Sequence, residues 1–592
     1  MNLRHVLGRA FRALDRVPRW ARLLLAAGVV ALGVLTVLRP TSSLGALALL
    51  LGAGLVLQGV VEVVGATPGA RGRATAAAAG WVLAGGLVLL LPGLTVRVLA
   101  VVVAVALLVH GALLLVSALR RGRAGADRLA DAAFGVAGVL LGLLALAWPD
   151  ITSLATAVAV GARLVMSGVA LAWTTAGTRR SPRHRPRRRA VAALTAVAVA
   201  AGAAVLSGTL REGSTVTDDF YAAPRDVPAE PGRLVRAEDL TRGVPEGGRG
   251  WRVLYTTTRG DGTPAVASGL VVVPEGEGPW PVVDWHHGTT GVAEHCAPSL
   301  SREPFASGAL LVLPEVLDSG WALVATDYIG LGTGGPHPYL VGPDSAHAAL
   351  DAVRAARELV DLDDRTVAWG HSQGGGAALW SGALQPEYAP DVELAGVAAL
   401  APASDLRGLV AGLEDVTGGS VLASYVAAAY AAEYDDVTWR QYVRPGAEVV
   451  LRQMAERCLE PPGVLASVLT ALALSAEPTL FAADPASGAF GARLTQNEPP
   501  PSALPVLLAQ GGADTLITPA VQDAYVERLC ARGATVDHRT YTGRDHLSLV
   551  AADSPLVPDL LAWTAERLRA APVSRDCRTV RDAGPEAPPP PP

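Results

Sequence analysis

The sequence predicts two folds in series: an α-helical transmembrane domain of seven helices (three hairpin repeats plus one), then an α/β domain with a mostly parallel sheet and a helical cap. Three observations predict this. Residues 21–208 are an almost unbroken run of Ala/Val/Leu/Gly segments. From about residue 250, short β-rich runs alternate with helical ones, as in a parallel sheet covered on both faces. Finally, Gly370-His371-Ser372-Gln373-Gly374 stands between a strand-like run, Thr366 to Trp369, and a helix-like one, Gly376 to Trp380.

A chain of 592 residues is too long for one core. The expected divisions are a basic N-terminus at 1–20, the membrane domain at 21–209, a polar linker at 210–249, the α/β domain at 250–572 with its cap at about 405–500, and a Pro-rich tail at 573–592. The formal net charge of −5 argues against a nucleic-acid partner. Every Lys or Arg position is occupied by Arg.

Seven apolar segments can be read, at about 21–38, 44–64, 74–91, 94–118, 129–148, 151–173 and 190–208. Each is close to the roughly 20 residues a bilayer-spanning helix needs. Arginines mark alternate loops: Arg4 to Arg19 before the first segment, Arg71 and Arg73 after the second, Arg120 to Arg128 after the fourth, and Arg179 to Arg189 after the sixth. By the positive-inside rule the N-terminus is cytoplasmic, and an odd number of crossings puts everything after 209 outside. The membrane pattern continues past the first segment, so that segment is not expected to be a cleaved signal peptide.

An internal repeat runs through this half. Pro40, Pro92 and Pro149 each open a segment, and Gly59, Gly111 and Gly168 follow nineteen residues later, each after a polar residue, Gln58, His110 or Ser167. The repeat resembles the HdeD-type short-repeat membrane family over roughly 20–176. Gln58, Glu62, His110, Arg163 and Ser167 are polar within apolar surroundings and are candidates for an intramembrane site. The simpler expectation is interhelical hydrogen bonding. Glycines 52, 54, 85, 86, 138 and 142 suit close helix packing.

In the second half, Trp251 to Thr257 and Val266 to Val273 read as a paired start. Pro281 to Trp285, Ala322 to Thr326, Thr366 to Trp369, Gly396 to Leu400 and Pro505 to Ala509 read as central strands. A serine on a strand–turn–helix, flanked by glycines, is a nucleophile elbow, and its partners follow in the order acid, then histidine. Asp514 lies after the last of these strands, where such sheets place reactive groups. His546 lies in the loop after the strand-like Val536 to Tyr541, whereas His538 falls inside that strand. Asp545 is adjacent to His546 and is not assigned the acid role. Ser372 is then the expected nucleophile, His546 the base and Asp514 its orienting acid. The backbone N–H groups of Gln373 and Thr289, with Thr290 as fallback, are the expected oxyanion donors. His286 and His287 lack a matching ligand cluster, so no metal is expected, and this chemistry needs no cofactor. The stretch between strands 396–400 and 505–509 carries helix-like Leu, Val and Tyr runs, an inserted cap suited to an acyl chain.

Asp284 to Cys296, Asp327-Tyr328-Ile329-Gly330-Leu331-Gly332, His337-Pro338-Tyr339-Leu340, Asp351 to Arg357 and Gly370 to Gly375 together resemble the secretory lipase family of α/β-hydrolases over about 245–570. The resemblance implies hydrolysis of carboxylic esters, plausibly acylglycerols, with Ser372, Asp514 and His546 as the triad. The expected partners are an acyl ester or lipid substrate and a lipid bilayer. Oligomeric state is left open. Alternatives are acyl transfer onto an envelope lipid or glycan, and a membrane stress or transport protein whose second domain only binds. All four cysteines, Cys296, Cys458, Cys530 and Cys577, follow the apolar half. An even count on the outer side favours disulfides in one of three pairings.

Overall fold

The computed structural model describes residues 18–39, 71–90, 92–119, 125–175, 186–211, 217–416, 418–460, 463–474, 480–573 and 576–581, with positions 46, 53 and 56 besides. The chain forms two compact units. The first comprises Met1–Glu212 with Val443–Gln453 and Val468–Ala482, and the second Gly213–Tyr442 with Met454–Ser467 and Ala483–Pro592. Two stretches of the expected cap are thus grouped with the first unit.

The first unit contains helices α1 (Arg19–Leu38), α2 (Arg71–Leu90), α3 (Pro92–Leu119), α4 (Gly125–Ala147), α5 (Pro149–Thr175) and α6 (Pro186–Arg211). Pro92, Pro149 and Pro186 open their helices, where the missing N–H costs nothing. Among the described residues, four helices are long and apolar enough to cross a membrane: Arg19–Leu38, Ala100–Leu119, Asp127–Ala147 and Pro149–Trp173. The apolar runs of α2 and α6, Ala78–Leu90 and Val191–Val205, are shorter. Most of segment 44–64, one of the expected seven, lies outside the described residues. The packing also differs from successive hairpins. The extensive pairs are α3 with α4 and α1 with α5, while α2–α3 and α4–α5 touch little.

The repeat glycine explains these pairs. A Cβ on Gly111 would come 2.8 Å from the Gly135 carbonyl oxygen of α4, and one on Gly168 would come 2.8 Å from that of Ala26 in α1. Only hydrogen at that position lets the two backbones approach so closely. Gly138 and Gly142 face α3 in the same way, whereas Gly86 meets nothing within 4 Å. His110, Arg163 and Ser167 lie on exposed helix faces and do not gather into an interior site, and Gln58 and Glu62 fall outside the described residues.

The second unit is built on a ten-stranded sheet in the order β1-β2-β3-β5-β4-β6-β7-β8-β9-β10. Its strands are β1 Leu234–Leu240, β2 Gly248–Thr258, β3 Pro264–Pro274, β4 Trp280–His286, β5 Ala322–Ile329, β6 Leu362–His371, β7 Glu393–Leu400, β8 Val506–Gly511, β9 Val536–Tyr541 and β10 Arg578–Val580. β1, β2, β3 and β5 pair antiparallel. The pairs from β5 through β4, β6, β7, β8 and β9 to β10 are parallel. The period of two along each strand divides the core. Val271, Val324 and Ala368 face one layer, with Ala352 and Leu379 of the helices Gly342–Leu359 (α7) and Gln373–Tyr388 (α8). Leu270, Leu323 and Trp369 face the other, with Trp563 of the helix Leu556–Leu568. Trp369 Nε1 donates to Thr564 Oγ1 at 2.9 Å, so that buried indole keeps a partner.

Two expected boundaries move. The segment 210–249, read as a linker, contributes β1 and the start of β2 to the sheet. The segment after 572 contributes β10, which Cys577 ties to Cys530; Pro585 to Pro592 lie outside the described residues. Between β7 and β8 the insertion is helical: α9 Leu406–Gly412, α10 Gly419–Glu433, α11 Pro445–Ala455, α12 Gly463–Leu474 and α13 Gly488–Gln496.

Candidate active site

The site lies at the carboxyl end of the parallel strands, where one loop after another delivers a side chain. Ser372 follows β6 directly and opens α8 at φ +58°, ψ −116°. Its backbone is stitched to the loop after β7: Ser372 N donates to Leu400 O at 2.9 Å, and Ala403 N to Ser372 O at 2.9 Å. Glycine is required beside it because a Cβ on Gly374 would lie 1.9 Å from the His286 carbonyl oxygen. Ser372 therefore sits on a tight strand–helix turn, with the positive end of α8 beneath it.

His546 Nε2 lies 2.9 Å from Ser372 Oγ, and His546 Nδ1 lies 2.8 Å from Asp514 Oδ2. The Asp514 side chain is fully buried and that of His546 is 14% exposed, so one end of this hydrogen-bonded line is dry and the other faces incoming solute. Asp514 is over-determined. Its Oδ1 accepts from the N–H groups of Leu516 (2.9 Å) and Ile517 (2.8 Å), and Gln510 Nε2 stands 3.3 Å from its Oδ2. Gln510 in turn donates to Ile517 O at 2.8 Å, closing the loop on itself. Asp545 binds its own loop instead, accepting from Ser548 N and Ser548 Oγ. His538 is buried in β9, away from the serine loop.

Gln373 and Thr289 belong to one polar network. Gln373 Nε2 donates to His337 Nε2 at 3.2 Å, and His337 Nδ1 donates to Ile329 O at 2.8 Å, which fixes the tautomer. His337 lies between the rings of Tyr328 and Tyr339. Tyr339 OH meets Thr289 Oγ1 at 2.8 Å. Burial pushes His337 down to about 3 and Tyr339 up to about 12, so both rings stay neutral near pH 7. Behind Thr289, Leu459 N donates to Thr290 O at 2.8 Å, and the Cys296–Cys458 disulfide joins the same two segments.

His286 and His287 do not converge on a common point. His286 Nε2 meets Asp284 Oδ2 at 2.9 Å in full burial. His287 faces two carbonyl oxygens, those of Gly288 and Asp327. Burial lowers His287 to about 4, so it is neutral and only one of those contacts can be a donated N–H. Among the described residues, the one cluster with metal-ligand atoms close together is His295, Cys296 and Cys458, and its two sulfurs are spent on the disulfide. The sequence reasoning missed His371, His337, Tyr339 and Gln510 as site residues. The motif His337-Pro338-Tyr339-Leu340 was visible, but its role was not.

The topology is that of an α/β-hydrolase, and the chain is similar to lipases and esterases. Residues 306–575 match the family model of secretory lipases, and residues 24–77, 76–143 and 133–207 match that of a short repeat of unknown function. The chain is 28% identical over 391 residues to a probable inactive lipase of Mycobacterium tuberculosis (strain CDC 1551 / Oshkosh), covering 60% of this chain and 83% of that one. It is 29% identical over 275 residues to Lipase 6 of Candida albicans, covering 41% of this chain and 56% of that one. The solved structure of Candida antarctica lipase A in its closed state aligns with a TM-score of 0.51 at 19% identity, over 61% of this chain and 89% of that one. At that identity the alignment speaks to the fold alone.

Proposed function

We propose that this protein is a membrane-anchored serine hydrolase that cleaves carboxylic esters, acyl lipids among them, outside the cytoplasm. The observation that carries the reading is the continuous line Ser372 Oγ–His546 Nε2, His546 Nδ1–Asp514 Oδ2, on a strained elbow. Ser372 Oγ attacks the ester carbonyl while His546 Nε2 takes its proton. Asp514 holds the Nδ1–H tautomer and stabilises the imidazolium. The N–H groups of Gln373 and Thr289 receive the negative charge that develops on the carbonyl oxygen. Collapse expels the alcohol, protonated by His546. Water, deprotonated by His546, then attacks the acyl-enzyme and releases the acid. The M. tuberculosis relative carries a name that denies it activity; here all three groups needed for turnover stand within hydrogen-bond reach. The membrane reading is supported by the four long apolar helices, whose open faces carry Leu24, Leu35, Leu113, Leu119 and Val169.

The full-length protein in detergent should hydrolyse p-nitrophenyl esters of graded chain length. Ser372→Ala should lower kcat by about a thousandfold or more, and Asp514→Asn by a comparable factor. Wild-type turnover matched by a folded Ser372→Ala variant would refute the assignment.

A further inference from the structure

We propose that His371, the residue before the nucleophile, is a positioning residue that tethers the peptide of His546 and so holds the base on Ser372; the inference rests on the serine-hydrolase reading above. His371 Nε2 stands 2.9 Å from the backbone oxygen of His546, while the side chain of that same residue reaches Ser372. A carbonyl oxygen only accepts, so the His371 proton is on Nε2 and Nδ1 is a bare lone pair. His371 Nδ1 is buried and has no hydrogen-bond partner among the described residues. Gly288 packs against it, so that a Cβ there would stand 3.3 Å from this nitrogen. His371 is thus wedged between the loop that carries Thr289 and the loop that carries His546.

The geometry assigns the tether a specific task. The loop of His546 is open to solvent, with Asp545 and Leu547 both exposed. From outside it is held by its own turn, Asp545 Oδ1 accepting from Ser548 N at 2.8 Å and Leu547 N at 3.2 Å. That turn fixes the shape of the loop but not its distance from the serine. On the inner side, Ala513 N donates to Arg544 O at 2.9 Å on the Asp514 side of the loop, and the N–H of His371 holds the His546 peptide on the serine side. The two rings lie 4.8 Å apart and tilted by 42°, so they touch without stacking. Neutrality matters as well, since a second imidazolium here would oppose the charge His546 acquires during attack. Burial, and then the neighbouring His546, hold His371 down to about 3, and it stays neutral near pH 7.

The test turns on where a side-chain N–H sits. Glutamine places an amide nitrogen near the position of imidazole Nε2, and asparagine near that of Nδ1. His371→Gln can reach the His546 carbonyl and His371→Asn cannot, although both are polar amides. Both variants of the full-length protein are assayed two ways: steady-state ester hydrolysis, and the rate at which a fluorophosphonate phosphonylates Ser372. In the labelling step the serine oxygen bonds to phosphorus, fluoride leaves, and His546 takes the proton, so it reads activation of the serine without any ester. His371→Gln should stay within about threefold of wild type in both. His371→Asn should lose about tenfold or more in kcat and in labelling rate, with KM little changed, because misplacement of the base acts on the chemical step. If Gln and Asn variants behave alike, whether both retained or both lost, the tether is wrong. A wild-type chain that neither labels nor turns over would instead overturn the hydrolase reading itself.

Discussion

Ser372 is held at φ +58°, ψ −116°, a region that costs a non-glycine residue of order 1–3 kcal/mol. It stays there because its N–H and C=O are both bonded to the segment after β7, and because Gly374 lets the β4 backbone pass beneath. Gly374→Ala should therefore shift the elbow off β4, with loss of hydrolysis and about 2 kcal/mol or more of stability, seen in a lower denaturant midpoint. Around the site, His287, His337 and His371 are buried and neutral, lowered to about 4, 3 and 3. The unfolded chain protonates them below about 6.5 and the folded chain does not, so unfolding takes up protons and stability falls as pH drops through that window. Asp327 and Asp344, raised by burial to about 6 and 7, act in the opposite sense. His337→Gln should remove one proton from the uptake, flattening the dependence by about 1.4 kcal/mol per pH unit between pH 6 and 4. Unchanged slopes in parallel denaturation series would contradict its buried neutral state. At this scale Ser372, Asp514 and His546 were readable because each follows a strand in a fixed order. His371, His337 and Tyr339 were not, because their partners are set by tertiary approach, 175 residues away for His371 and His546.

At the scale of elements, the central strands were legible as buried apolar runs, and β5 is buried at every residue. The edges were not. β1 reads Leu-Val-Arg-Ala-Glu-Asp-Leu, mostly half-buried or exposed, and β10 has three residues, none of them buried. Edge strands carry little hydrophobic pattern, so polar composition was mistaken for a linker and a tail. The two disulfides differ in the same way between core and rim. Cys530–Cys577 ties down β10, whereas Cys296–Cys458 joins the insertion to the Thr289–Gly291 loop, next to the hydrogen bond from Leu459 N to Thr290 O. The paired substitution Cys296→Ser with Cys458→Ser should lower both kcat and the melting temperature, since the bridge closes a long loop and anchors the segment that follows Thr289, the proposed oxyanion donor. Cys530→Ser with Cys577→Ser should affect melting with kcat near wild type. Equal kcat in the two paired variants would mean that the first bridge has no hold on the site.

For the whole molecule the question is which side of a membrane the hydrolase unit faces, because that decides which esters it meets. The sequence counts seven apolar segments; among the described residues four helices are long and apolar enough to cross, and the apolar runs of α2 and α6 are shorter. It also mispaired the helices, since their partners are chosen by where small residues meet, as at Gly111 with α4 and Gly168 with α1, and not by order along the chain. The charge pattern is independent of how the helices pack. Arginine-rich segments at 4–19, 71–73, 120–128 and 179–189 fall in alternate connections, and each biases orientation the same way. The last precedes α6, so α6 must cross for residues after 213 to lie outside; its apolar run of 15 residues, Val191–Val205, would then need the following residues, Leu206 to Leu210, to complete a thin or locally compressed span. Both disulfides agree with an oxidising compartment, and every cysteine follows residue 213, in the part that this topology would put outside. Protease added to intact cells should accordingly digest residues 213–592 while the loop at Arg120 to Arg128 stays protected. If the hydrolase unit is protected instead, it lies inside with the N-terminus, and the four cysteines should then titrate as free thiols in unreduced, unfolded protein.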